Sequence, residues 1–268
     1  MNANPQAVNK RWLALSIGNS RYHWAMFESE QLQQTWETPH LVNQDWRSLL
    51  ESAIAKTPLA DLPELPELWL ASVVPGQTQQ WQAYPNLHPI QLADVPLRQT
   101  YATLGLDRAL AIWGAGMTWG WPVLVIDCGT ALSLTGASAK AELVGGAILP
   151  GLGLQGRSLA QSTAALPSIS FWQSQPLPTR WAKETGAAIA SGILYVLLAG
   201  LADFIEDWWQ HYPHSQVIFT GGDSQVLTEY LRTWLDQNPV KVDWQEALKV
   251  DPYLIFRGIS HLRQHHLC

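Results

Sequence analysis

Cysteine is nearly absent: the 268 residues hold two, Cys128 inside an apolar run and Cys268 as the final residue. So few thiols exclude a disulfide framework and suit a reducing compartment. Charge is sparse as well, at 14% of residues with a net of −6, and the acidic residues are scattered. Basic clusters are missing, which removes the electrostatic footprint that nucleic-acid binding needs. There is no Gly-x-x-x-x-Gly-Lys-Ser/Thr run, so a P-loop is excluded, and no Gly-x-Ser-x-Gly elbow supports hydrolase chemistry. The opening residues, MNANPQAVNK, lack the apolar stretch of a signal peptide, and a cytoplasmic setting is expected.

What is abundant is apolar surface, 47% of residues, enough in a chain of this length for a substantial core. The fifteen tryptophans sit largely beside other apolar residues, as at Trp12, Trp24, Trp69 and Trp113, which suits packing better than a stacking platform. Residues Thr185 to Ala202 carry no charge over a span long enough to cross a bilayer. The run contains Thr185, Ser191 and three glycines and lies between Glu184 and Asp203, so a buried core helix and no membrane partner are expected.

Two apolar runs, Trp12–Ile17 and Tyr22–Phe27, flank Gly18-Asn19-Ser20 and read as a β-hairpin. A third strand is expected near Leu32–Trp36, and a helix over Asn43–Lys56 with Asn43 as its cap. A strand over Leu68–Val74 and helices near Gly76 and over Asp107–Trp119 follow. The pattern then restarts. Strands are expected over Pro122–Asp127, Leu132–Gly136 and Glu142–Leu149, and then helices, a strand over Gln216–Thr220 and two closing helices. Both halves open strand, Gly turn, strand, strand, which predicts an α/β architecture with the lobe boundary near Gly120, giving lobes 1–119 and 120–268.

Four glycine turns sit directly after apolar strands: at Gly18, in Asp127-Cys128-Gly129-Thr130, in Gly145-Gly146-Ala147, and in Thr220-Gly221-Gly222-Asp223. Each suits an ordinary hairpin or strand–helix turn. Each also suits anion binding, because consecutive amides in a tight turn form a concavity. Ser20 and Thr130 add hydroxyls, and Asp127 adds a carboxylate able to hold a cation against polyphosphate. In Gly105-Leu106-Asp107-Arg108, Asp107 is placed either to cap the following helix or to act as a general base beside a fixed cation. His261, His265 and His266 have metal-like spacing but read as a frayed helix end, since no acidic ligand stands beside them.

Six segments in order resemble the type III pantothenate kinases. They are Ser16-Ile-Gly-Asn-Ser20, Gly105-Leu-Asp-Arg108, Asp127-Cys-Gly-Thr-Ala131 and Gly145-Gly-Ala-Ile-Leu-Pro-Gly151, then Thr185 ahead of Ile189-Ala-Ser-Gly192, and Thr220-Gly-Gly222. Asp251-Pro-Tyr-Leu-Ile-Phe-Arg-Gly258 resembles the closing helix of that family, whose first motif carries an acidic residue where this chain has Ser16. The resemblance implies an actin-like (ribonuclease H-like) duplicated two-lobe fold with an inter-lobe active-site cleft, a homodimer, and ATP-dependent phosphorylation of pantothenate. It implies that Ser16, Ile17, Gly18, Asn19, Ser20, Arg21, Tyr22, His23 and Thr130 meet ATP, and that Asp127 binds a monovalent cation, K⁺ or NH₄⁺, beside Mg²⁺. It further implies that Asp107 is the base and that Tyr101, Gly105, Leu106, Arg108 and Thr185 line the pantothenate site. A nucleotide-binding regulator or a kinase for another small hydroxylated acceptor remain the competing readings.

Overall fold

The computed structural model describes residues 11–40, 45–54, 65–171, 175–238 and 248–267; Asn43, read as a helix cap, and Cys268 lie outside them. The chain divides into two compact units, one comprising Met1–Pro96, Tyr101–Gly114 and Ile255–Cys268, the other Leu97–Thr100 and Ala115–Leu254.

The first unit is built on β1 (Arg11–Ile17), β2 (Arg21–Glu28), β3 (Gln31–Pro39), β4 (Glu67–Ser72) and β5 (Leu87–Pro89), in the order β3-β2-β1-β4-β5. The first three strands are antiparallel, while β4 and β5 add in parallel. As the central strand, β1 is covered on both faces, which is why Trp12 to Ile17 form an unbroken buried run. On one face Leu13, Leu15, Ile17, Tyr22 and Trp24 pack with Trp81, Tyr84 and the residues Trp46, Leu49 and Leu50 of α1 (Trp46–Ile54). Asp45 caps α1 by accepting from the Ser48 N–H at 2.9 Å. The helix expected near Gly76 is one turn, α2 (Pro75–Thr78).

On the opposite face Trp12 stacks on Phe27 with ring centroids 4.2 Å apart. α3 (Leu106–Trp119) opens in this unit, and the last helix of the chain, α7 (Leu254–Leu267), belongs to it from Ile255 onward. Gly258 of α7 lies so close to the Leu110 carbonyl of α3 that any Cβ would overlap it. Arg263 of α7 sits 4.9 Å over the Trp12 ring and reaches Glu67 of β4 at 3.0 Å. These contacts place the last helix with the first unit and not with the expected lobe 120–268. They also shift the crossover from Gly120 into α3, between Gly114 and Ala115.

The second unit contains β6 (Val123–Cys128), β7 (Ala131–Ala137), β8 (Leu143–Pro150), β9 (Gln216–Thr220) and β10 (Leu248–Val250), ordered β10-β9-β6-β7-β8. Taken from the other edge, this sheet repeats the first: a central strand, two antiparallel neighbours on one side and two parallel ones on the other. Its helices are α4 (Leu152–Ser162), α5 (Thr185–His211) and α6 (Ser224–Gln237). Leu194, Leu198, Leu201 and Ile205 of α5 and Leu227 and Leu231 of α6 pack with Ile126, Leu132, Leu134 and Phe219. Gly136 in β7 leaves the space that the Trp208 ring fills. By length and composition α5 could cross a membrane, yet one face of it is in this core. The expectation of burial holds for that face alone, because Ala188, Gly192, Val196 and Ala199 are exposed along another.

The Arg263–Glu67 pair ties α7 to β4, with the Arg263 side chain 7% exposed and that of Glu67 17%. Arg263→Ala should destabilise the protein by about 3 kcal/mol in urea unfolding, because it strands a mostly buried carboxylate. The double variant Arg263→Met with Glu67→Leu should recover most of that loss. Equal stability of Arg263→Ala and wild type would show that the pair contributes nothing net.

Candidate active site

In the first unit, the Gly105-Leu106-Asp107-Arg108 segment opens α3, and the Gly105 carbonyl accepts from the Ala109 N–H at 3.0 Å. The helix begins at Leu106, so Asp107 stands inside the first turn and is not the cap. Its Oδ1 accepts from the Arg108 N–H at 2.8 Å and lies 2.5 Å from where a Cβ on residue 105 would be. Glycine at 105 is therefore what allows the carboxylate to fold back over the helix start, where the helix dipole also favours its charge. Arg108 is buried, and its Nη1 donates to the Tyr101 hydroxyl at 3.0 Å, while Tyr101 is 45% exposed. Base candidate, cation and phenol are thus brought together within seven residues of one chain segment.

The β1–β2 hairpin of the same unit closes with the Gly18 N–H donating to the Arg21 carbonyl at 3.1 Å. Strand alternation sorts the eight hairpin residues expected to meet ATP. Ile17 and Tyr22 are each 1% exposed and point into the core, so only their main chain is available to a ligand. The Tyr22 hydroxyl is engaged with Gln77 at 2.5 Å. Ser16 is buried on the other face, Gly18 and His23 are half-buried, and Asn19, Ser20 and Arg21 are exposed. The hairpin lies at the carboxyl ends of the parallel strands β1 and β4, where α/β sheets bind ligands. One residue the sequence did not single out, Glu37 of β3, contacts both Arg21 at 3.5 Å and His23 Nδ1 at 3.2 Å.

In the second unit, three glycines converge on the end of β6. The Gly129 N–H donates to the Ala131 carbonyl at 3.1 Å, the Gly151 N–H to the Thr130 carbonyl at 2.9 Å, and the Asp223 N–H to the Cys128 carbonyl at 2.9 Å. Gly221, at φ +86°, comes so close that a Cβ on it would lie 2.5 Å from Asp127 Oδ1. The turn at 127–130 is therefore gripped from two sides by main chain. The expected turn at Gly145-Gly146-Ala147 is not one: these residues lie inside β8, paired with β7, and the glycine that reaches the site is Gly151 at the end of that strand.

Burial pushes the Asp223 carboxyl up, while the Gly153 N–H and the Arg157 charge pull it down. Burial, and then the charges of Asp127 and Asp223, push the Cys128 thiol well up, which makes it inert as a nucleophile. Thr130 is exposed at the turn. Thr185 begins α5, exposed, next to Glu184, whose carboxylate caps the helix through the Gly186 and Ala187 N–H groups at 2.9 Å each. Those two bonds hold the Glu184 carboxyl below its usual range. Among the described residues no group of three or more His, Cys, Asp or Glu side chains is placed to hold a metal ion. The C-terminal histidines are not on a frayed end: α7 stays helical through all three, His261 is half-buried, and His266 packs 5.6 Å from Trp69.

Solved structures similar to this one include a protein from Campylobacter jejuni described as a candidate transcriptional activator of the Baf family, with TM-score 0.62, 19% identity, and 95% and 98% of the two chains covered. The activator of the 2-hydroxyisocaproyl-CoA dehydratase from Clostridium difficile, solved with ADPNP, matches at TM-score 0.53 and 11% identity over 96% and 97%. MreB 5 of Spiroplasma citri, bound to AMPPNP, matches at 0.51 and 11% over 98% of each chain. Likenesses at such low identity show the fold, and it is the actin-like α/β fold. Sequence relatives go further. A type III pantothenate kinase from Synechococcus sp. (strain JA-3-3Ab) is 46% identical over 96% of this chain and 94% of its own. Another from Nostoc sp. (strain PCC 7120) is 45% identical over 94% of each. The family model for type III pantothenate kinase matches residues 12–209. With its glycine turns, its Gly-Leu-Asp-Arg helix start and this breadth of identity, the chain belongs to the type III pantothenate kinase family.

Proposed function

We propose that this chain, in the cytoplasm, transfers the γ-phosphoryl group of ATP to the primary hydroxyl of pantothenate, giving 4′-phosphopantothenate, the first step toward coenzyme A. The observation that carries this reading is the Asp107 carboxylate, seated on Gly105 beside Arg108 and Tyr101, in a chain of this family. Phosphoryl transfer asks mostly for positioning and charge neutralisation, with one group to receive a proton. Asp107 receives the proton of the attacking hydroxyl. Arg108, held by Tyr101, lines the pantothenate site with Gly105 and Leu106, and the Thr185 hydroxyl adds a further hydrogen bond to that substrate.

The main-chain N–H groups of Gly18, Asn19 and Ser20 and the Thr130 hydroxyl take the ATP phosphates. Asp127 and the main-chain oxygens around it form an oxygen-only donor set, which fits a hard cation such as K⁺ or NH₄⁺. Bound cations, Mg²⁺ among them, would neutralise polyphosphate charge. The exposed face of α5 serves as a homodimer interface. Ala188, Gly192 and Ala199 keep it shallow, and Val196 is 75% exposed and Phe204 48%.

A coupled assay with pantothenate, ATP, Mg²⁺ and K⁺ should yield phosphopantothenate. Asp107→Asn should slow turnover on the order of 10²-fold or more. Unchanged turnover would remove Asp107 from the chemistry, and nucleotide binding with no product would select the regulatory reading. Gly105→Ala forces the Asp107 oxygen from its seat and should lower kcat on the order of 10²-fold, with ATP affinity retained. If kcat does not move, the seat is not part of the mechanism. Val196→Glu should convert a dimer to a monomer in light scattering; a persistent dimer would place the interface elsewhere.

A further inference from the structure

Across the first sheet, Ser16 of β1 pairs with His23 of β2, and His23 pairs with Glu37 of β3. Directly paired residues share a face, so these three side chains form one row, and Arg21, two residues before His23, is on the same face. Glu37 Oε1 lies 3.2 Å from His23 Nδ1, and Glu37 Oε2 lies 3.5 Å from Arg21 Nη1. With Nδ1 turned to the carboxylate, the other nitrogen faces the opposite way. His23 Nε2 is 3.8 Å from the position a Cβ would take on Gly18, the turn residue whose main chain is proposed above to take phosphates. The ring is half-buried, so it is held and still reachable.

We infer that His23, oriented by Glu37, is a phosphate-binding donor: in its doubly protonated form it donates from Nε2 to the polyphosphate of a nucleotide seated at the Gly18 turn. Glu37 is a positioning residue that fixes which nitrogen faces the ligand, a carboxylate–imidazole pairing of the kind that orients histidines elsewhere. It also contacts Arg21, so one carboxylate aligns both Arg21 and His23. Ser16, the third member of the row, brings no negative charge to oppose the phosphates. The inference rests on the reading that the Gly18 turn receives ATP phosphates; it does not depend on which alcohol is phosphorylated.

The test is calorimetric binding of ATP with Mg²⁺, and separately of adenosine, to the full chain without pantothenate. His23→Ala should weaken ATP binding about 10-fold or more, as for a lost charge-assisted hydrogen bond, and leave adenosine binding unchanged. His23→Lys should restore ATP affinity to within a few-fold of wild type. Glu37→Gln and Glu37→Ala both remove the carboxylate charge, but only Gln keeps an acceptor for Nδ1–H. The alanine variant should therefore bind ATP more weakly than the glutamine one. Equal ATP affinity of His23→Ala and wild type, or equal weakening toward adenosine, would overturn the role of His23. Equality of the two Glu37 variants would overturn the positioning role, and if Glu37→Ala does not fold, the His23 pair decides the phosphate contact alone. ATP binding with this His23 dependence, but without phosphopantothenate formation, would refute the proposed substrate while leaving the inference standing. Wild type that binds no ATP would refute both.

Discussion

Two carboxylates in this protein rest in space that only glycine leaves open. Asp107 Oδ1 lies 2.5 Å from the missing Cβ of Gly105, and Asp127 Oδ1 lies 2.5 Å from that of Gly221. An alanine in either place would have to displace the carboxylate or the backbone beneath it. The rest of each site is arranged around that constraint. α3 can begin at Leu106 with Asp107 already over its first turn, and the β6 turn can be gripped by the backbone of residues 221–223 on one side and of Gly151 on the other. Glycines here give the carboxylates their positions more than they give the loops flexibility.

Charge is then distributed with economy. Arg108 is buried with the Tyr101 hydroxyl as partner, and Glu37 serves two neighbours at once. Asp223 joins two glycine segments, its N–H on the Cys128 carbonyl and its carboxylate toward Gly153, so one residue secures the β6 turn and the start of α4 together. In a chain with 14% charged residues, Glu37 and Asp223 each meet more than one neighbour.

Much of this was legible in the sequence where the signal was local. The β1–β2 hairpin follows from apolar runs around Gly18-Asn19-Ser20, and the second sheet from the same pattern restarting at Pro122. β5 and β10 escaped notice because three-residue parallel strands have too little length to show periodicity, and Pro89 ends one of them. Gly145 and Gly146 suggest a turn by composition, but they pair with β7 inside β8, where Gly145 has a φ of +142° beside an irregularity in register. Placing α7 with the first sheet needed the Arg263–Glu67 contact, between residues 196 apart in sequence, and Glu37 could be found only once β-sheet register was known. Which residues of the hairpin face the core was readable from alternation, yet a contiguous motif invites treating all of Ser16 to His23 alike; Ile17 and Tyr22 show why that fails.

The repeated sheet has a consequence for how such a chain can change over generations. Its two strand–turn–strand frames share one topology but carry opposite chemical character: Arg21 and His23 flank the first turn, Asp127 and Asp223 the second. A frame present twice need not perform one task twice. Each copy is free to carry its own charge, because the topology constrains the strands and the turn and not the side chains around it. In the first frame Ser16 adds no charge to a row in which Glu37 already faces both Arg21 and His23.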